Sequence, residues 1–99
     1  MTYTTTKETN HIVLRIEGEL DSLSVTDLRP AIDQLVADLH PSVLVDLTKL
    51  RLIDSSGVGS IVSLYKRVRA QGGSVVVRGA REQPLAILRL LRLDKVLMP

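Results

Sequence analysis

The 99-residue chain has no cysteine, no tryptophan and no phenylalanine. Without cysteine there is no disulfide, no thiolate zinc site and no cysteine nucleophile. Aromatic residues make up 2% of the chain, so a core must be built from Leu, Val and Ile. The two tyrosines offer little of the base stacking that single-stranded nucleic acid needs, and no direct nucleic-acid partner is expected. Histidine is scarce too: His11 and His40 are the sole imidazoles, which leaves little scope for a general base or a metal site. No apolar run approaches the roughly 20 residues that span a bilayer. Met1-Thr2-Tyr3-Thr4-Thr5-Thr6 lacks the basic-then-apolar pattern of a signal segment. A cytoplasmic protein with no membrane partner is expected. Strong charge of one sign is also missing: the net charge is +2, too mild to point to a partner. The basic residues that gather between Lys66 and Lys95 suit solvated faces and helix C-termini.

What the sequence does have centres on Leu52-Ile53-Asp54-Ser55-Ser56-Gly57-Val58-Gly59-Ser60. Before it, Val43-Leu44-Val45-Asp46-Leu47 has the pattern of a buried strand. After it, Val58, Ile61, Val62, Tyr65 and Val68 recur at helical spacing. Two hydroxyls and two glycines therefore stand where a helix begins. Ser55 or Ser56 is expected as the N-cap. Gly57 and Gly59 are expected to leave the first turn bare, so that another molecule can approach its backbone. A helix N-terminus favours an anion. A phosphate on Ser55 would be tolerated there, yet it would add about 1.5–2 negative charges beside Asp54. A partner packed on the neutral hydroxyl would then be repelled, so the stretch has the chemistry of a switch on association.

Read in order, Thr2 to Glu8 favours an extended strand and Thr9-Asn10 a turn. From His11 the residues alternate, giving a half-buried strand paired with the first; its mixed outer face predicts a place near the sheet edge. Gly18-Glu19-Leu20-Asp21 ends it. Ser24 with Asp27 fits a capping pattern, flanked by Leu23 and Leu28 at staple positions. Leu28, Ile32, Leu35, Val36 and Leu39 form the expected buried stripe, interrupted by Pro30 and stopped at His40-Pro41. Thr48 to Asp54 reads as a loop. The second helix ends at Gly72-Gly73, Ser74 to Arg78 reads as a buried strand, and Pro84 opens a third helix that is Leu-rich on more than one face. Lys95 to Pro99 reads as a short final strand. The expected fold is α/β: a mixed, mostly parallel sheet with helices packed on it, in the order β-β-α-β-α-β-α-β, forming one domain over residues 1–99. Asp21, Asp46 and Ser55 follow strand ends and are expected along one rim.

Catalytic readings find little support. Gly57-Val58-Gly59 lacks the third glycine of a dinucleotide fingerprint, no Lys-Ser or Lys-Thr closes a phosphate loop, and Gly-x-Ser-x-Gly is absent. Asp21, Asp46 and Asp54 could together hold Mg²⁺, but capping and solvent exposure account for them as well. No cofactor, metal or enzymatic activity is expected, and a binding module is the better class.

Gly18-Glu19-Leu20-Asp21, the Val43–Leu47 strand, Ile53-Asp54-Ser55-Ser56-Gly57-Val58-Gly59 and Gly72-Gly73-Ser74-Val75 together resemble STAS domains, and more narrowly the bacterial anti-sigma-factor antagonists. The resemblance implies partner switching. The unphosphorylated antagonist binds an anti-sigma factor with serine kinase activity and frees a sigma factor. Phosphorylation of the serine after the motif aspartate, here Ser55, releases it, and a PP2C-type phosphatase resets it. The partner surface so implied comprises Asp21, Ser22, Asp54, Ser56, Gly57, Val58 and Gly59. The further helix that family members usually carry after the last strand is not expected here, which leaves the Leu-rich third helix open to homo-oligomer formation. The competing expectation is a non-switching STAS scaffold or an accessory subunit of a signalling assembly or transporter.

Overall fold

Thr2–Lys7 (β1) and Ile12–Leu20 (β2) form the expected antiparallel hairpin in the computed structural model of the chain, which describes residues 1–99. The remaining elements are Val25–Ala37 (α1), Ser42–Asp46 (β3), Leu50–Ile53 (β4), Ser55–Ala70 (α2), Ser74–Arg78 (β5), Glu82–Leu90 (α3) and Asp94–Leu97 (α4). The strands run in the order β1-β2-β3-β5, with β4 joined to β2. Every pairing except the hairpin is parallel, so the sheet is mixed and mostly parallel, as the alternation of strands and helices requires.

Register sorts the side chains into two faces. Ile12, Leu14, Val43, Val45, Val75 and Val77 share one face and meet the helices in a single core of 23 buried residues. Each Leu, Ile or Val buried there contributes about 1.5–3 kcal/mol. The opposite face carries no helix and holds Thr6, Val13, Arg15, Asp46 and Arg78. Asp46 lies 3.5 Å from Arg15 and 3.3 Å from Arg78 across neighbouring strands. This uncovered face explains the mixed character of β2. The strand does not lie at the edge, as its alternation suggested, but is the hub of the sheet, and its polar residues look onto solvent above a central position. The edges of the main path are β1, exposed along its whole length, and β5, where Val75 and Val77 are buried and Ser74, Val76 and Arg78 are not; β4, paired with β2 alone, has a free edge as well.

Two elements differ from expectation. Part of the Thr48–Asp54 loop is a strand, β4, too short at four residues to show a period of its own. It exists because β2 changes partner part-way along. Ile12 to Arg15 pair with β3, and Gly18 to Leu20 pair with β4, with a register shift between Gly18 and Glu19. Gly18 adopts φ +89, a conformation that favours glycine, and its N–H reaches the Lys49 carbonyl at 3.0 Å. The expected final strand is instead the single helical turn α4, in which Leu97 N–H donates to Leu93 O at 2.8 Å and Leu97 is buried in the core. In α2 the buried face is Val58, Ile61, Leu64 and Val68, with Val62 and Tyr65 on its flank. Leu39, expected in the stripe of α1, lies beyond the helix with φ 58 and is exposed. No helix is long and apolar enough to cross a membrane.

Candidate functional site

β2 and β4 run parallel and end side by side, delivering two loops to one rim: Asp21 to Ser24 after β2, and Asp54 after β4. Asp54 joins them. It is the N-cap of α2, in place of the expected Ser55 or Ser56, and Oδ1 accepts from Gly57 N–H at 2.9 Å. Its Oδ2 accepts from Ser22 N–H at 3.0 Å, and its own N–H donates to Leu20 O at 3.2 Å. One carboxylate thus caps the helix and fastens the neighbouring loop.

The β2–α1 loop is held by a second carboxylate. Asp21 Oδ1 accepts from Leu23 N–H at 3.0 Å and Ser24 N–H at 2.9 Å. Ser24 is not the side-chain cap of α1: its Oγ accepts from Asp21 N–H at 3.0 Å and lies 3.0 Å from Glu19 O, closing the turn back onto β2. Because the loop is shaped from Asp21, the staple of Leu23 on Leu28 does not form; Leu28 is in the core and Leu23 projects into solvent. The Ser24 N–H and hydroxyl, followed by Leu23 N–H, hold the Asp21 carboxyl below its ordinary range, so it is charged at neutral pH.

Ser55 is the first residue of α2 and is exposed, as is Ser56. Its hydroxyl is free of the internal hydrogen bonds that engage Ser24 and Ser60. Gly59 is exposed, with nothing within 4 Å of where a Cβ would stand. Gly57 and Val58, expected at the partner surface, are buried. A Cβ on Gly57 would lie 2.6 Å from Leu20 O and 2.7 Å from Ile53 Cγ1. The close approach that Gly57 permits is therefore internal: it lets α2 sit against the end of β2. Val58 anchors the helix in the core. The exposed parts of the rim are Ser22, Leu23, Ser55, Ser56 and Gly59, with Asp21 and Asp54 half-buried among them. Between α1 and α2 it continues as an open groove of about 490 Å³ lined by Thr26, Arg29, Ser60 and Ser63 among others.

Asp46 does not join Asp21 and Asp54. Its carboxylate is engaged by Thr48, with Thr48 Oγ1 at 2.6 Å, and by Arg78. Burial raises its pKa, but the Thr48 hydroxyl and N–H and then Arg78 outweigh burial and leave it lowered. No three His, Cys, Asp or Glu side chains converge as metal ligands would.

Gln83, on α3, went unremarked in the sequence. Its Oε1 accepts from Ile53 N–H and its Nε2 donates to Ile53 O, both at 2.9 Å. The side-chain amide acts as a surrogate strand on the free edge of β4, one residue before Asp54. No local pattern marks it, because its partner lies 30 residues away.

Comparison with known proteins places these features in context. A family model described as "Mlab, STAS domain" matches residues 3–99. The anti-sigma-B factor antagonist of Listeria monocytogenes is 22% identical over 91 residues, which is 92% of this chain and 80% of that protein. The crystal structure of an anti-sigma factor antagonist from Mycobacterium paratuberculosis superposes with a TM-score of 0.84 at 26% identity, over 96% of this chain and 80% of that one. The Bacillus cell fate determinant SpoIIAA in its phosphorylated form superposes with a TM-score of 0.78 at 21% identity, over 95% of this chain and 86% of that one.

Proposed function

The chain belongs to the STAS domain family, and from that membership we propose that it is an anti-sigma-factor antagonist that works by partner switching. In its unphosphorylated form it docks on an anti-sigma factor that is also a serine kinase, and so frees a sigma factor. Transfer of a phosphoryl group to Ser55 releases it, and a PP2C-type phosphatase restores the hydroxyl. The chain is then a kinase substrate and a regulator, not an enzyme.

The observation that carries this reading is the placement of Ser55: an exposed hydroxyl at the first position of α2, next to a carboxylate that is already committed to two backbone N–H groups. A phosphate there gains from the helix N-terminus but adds about 1.5–2 negative charges beside Asp54 and the charged Asp21. Asp54 cannot turn away from it without uncapping α2 and freeing Ser22. The new charge therefore acts on whatever faces the rim and leaves the fold intact. Asp21, Ser22, Asp54, Ser56 and Gly59 form the face presented to the partner, and Gly57 and Val58 hold it in place from behind.

Incubation with the recombinant serine-kinase anti-sigma factors of the source organism and ATP, followed by peptide mass spectrometry, tests the reading. Ser55→Ala is expected to abolish labelling and keep binding, and Ser55→Asp to weaken binding. Stoichiometric labelling of Ser55→Ala would refute the assignment of Ser55. A stable complex that is never labelled would favour the scaffold reading.

A further inference from the structure

Leu23 is the most solvent-exposed large apolar side chain of the protein, at 83%. A single exposed leucine is ordinarily unremarkable. This one differs in how it is held. Its own N–H and that of Ser24 donate to Asp21 Oδ1, its carbonyl accepts from Thr26 Oγ1 at 3.0 Å, and the N–H before it donates to Asp54 Oδ2. The backbone that presents it is thus fixed from both sides, and it is fixed by the same Asp54 that caps α2 beside Ser55. The side chain itself supports nothing in the fold.

Its surroundings are acidic. A depression beside it is lined by three carboxylates, Glu19, Asp21 and Asp27, against two cations, the Met1 amino group and Arg51, and Arg51 is already paired to Glu19 at 2.5 Å, so the balance is negative. This local charge is opposite in sign to that of the whole chain, which is +2. An apolar side chain presented from a fixed backbone within an acidic surround is the anatomy of an interface anchor: little backbone entropy is lost when it is buried, and the rim steers a partner of opposite charge.

We infer that Leu23 is the apolar anchor of the antagonist face, and that the surface it enters is a leucine-sized pocket on the anti-sigma factor rimmed by Arg or Lys. Leu23 supplies affinity and partner choice, while Ser55 supplies the switch. The inference rests on the antagonist reading and assigns it a specificity residue.

Leu23→Ala and Leu23→Asp are the test, with Leu90→Ala as control, since Leu90 is 76% exposed on α3. Affinity for the recombinant serine-kinase anti-sigma factors is measured by calorimetry, and steady-state phosphorylation is followed at Ser55. Both Leu23 variants are expected to melt at the wild-type temperature, to lose roughly tenfold or more in affinity, and to show a raised KM for Ser55 phosphorylation at unchanged kcat. Leu90→Ala is expected to bind as wild type. Should wild type bind and be labelled while Leu23→Ala matches it within about twofold, the anchor is overturned and the antagonist reading stands. Should wild type bind none of these kinases, the antagonist reading falls and the anchor falls with it.

Discussion

Substituting alanine at Gly57 and at Gly59, two residues apart on the same helix, is expected to move stability in opposite directions. Alanine is favoured over glycine inside a helix by about 0.8–1 kcal/mol, and neither glycine needs a positive φ. At Gly59 the new methyl meets no atom within 4 Å, so the full gain is realised. For a domain of this size it raises the melting temperature by about 3–8 °C. At Gly57 the methyl would stand 2.6 Å from Leu20 O, 2.7 Å from Ile53 Cγ1 and 3.0 Å from Leu20 Cγ. Ile53 can adjust, but Leu20 O is backbone and accepts from Asp54 N–H at 3.2 Å. Relief therefore moves α2 off the end of β2 or breaks that bond. Overpacking of this kind costs about 1–3 kcal/mol and the lost hydrogen bond about 1 kcal/mol. Against the helix gain, the net loss is about 1–3 kcal/mol, a fall of at least roughly 4 °C. Urea denaturation followed by far-UV circular dichroism, with thermal melts beside it, measures both variants. Gly57→Ala as stable as wild type, or both variants shifting the same way, would refute the placement of Gly57 against β2. Gly59→Ala carries a second expectation: it is more stable yet binds its partner less tightly, because its methyl stands on the exposed face.

Gln83→Ala removes both hydrogen bonds to Ile53 and leaves a part-buried N–H without a partner, which is expected to destabilise the fold by about 1–3 kcal/mol in urea titration. Gln83→Glu does not rescue it, since a carboxylate facing Ile53 O has no proton to donate; wild-type stability in Gln83→Glu would show that the amide is not the edge partner of β4. The carboxyls of Asp21 and Asp46 are both lowered in the folded state, so the folded chain binds fewer protons than the unfolded one as pH falls. Their contribution is complete above a pH of about 4 and is lost as pH falls through the folded values. Asp46→Asn is accordingly less stable than wild type at neutral pH, and the gap closes in acid; a gap that stays constant down to a pH of about 2.5 would contradict the role given to the Thr48 hydrogen bonds and Arg78 in holding the charged carboxylate.

The three longer helices, the hairpin, the parallel crossovers and the exposed serine were legible in the chain, because each is written in contiguous residues, whereas the turn α4 read as a strand. Periodicity of 3.6 or 2 shows which face is apolar, and Gly72-Gly73 shows where a helix stops. Asp54-Ser55-Ser56 marked the helix start correctly to within one residue, although the cap proved to be the aspartate: a carboxylate at Asp54 reaches both its own helix and the next loop, and a local pattern shows only the first. What depended on tertiary structure had partners distant in sequence. β2 is the hub of the sheet because β3 and β4 both come to it, which its alternation cannot show. β4 is a strand only because the end of β2 is free to pair, and Gln83 matters only because Ile53 lies beside it. The two glycines of Gly57-Val58-Gly59 are identical as letters, and the packing of Leu20 against one of them decides that the first is structural and the second open to a partner. Local conformational preference acts over a few bonds and is carried by the sequence. Which surface ends up covered is set by the whole chain's burial of apolar area, and that sum has no local signature.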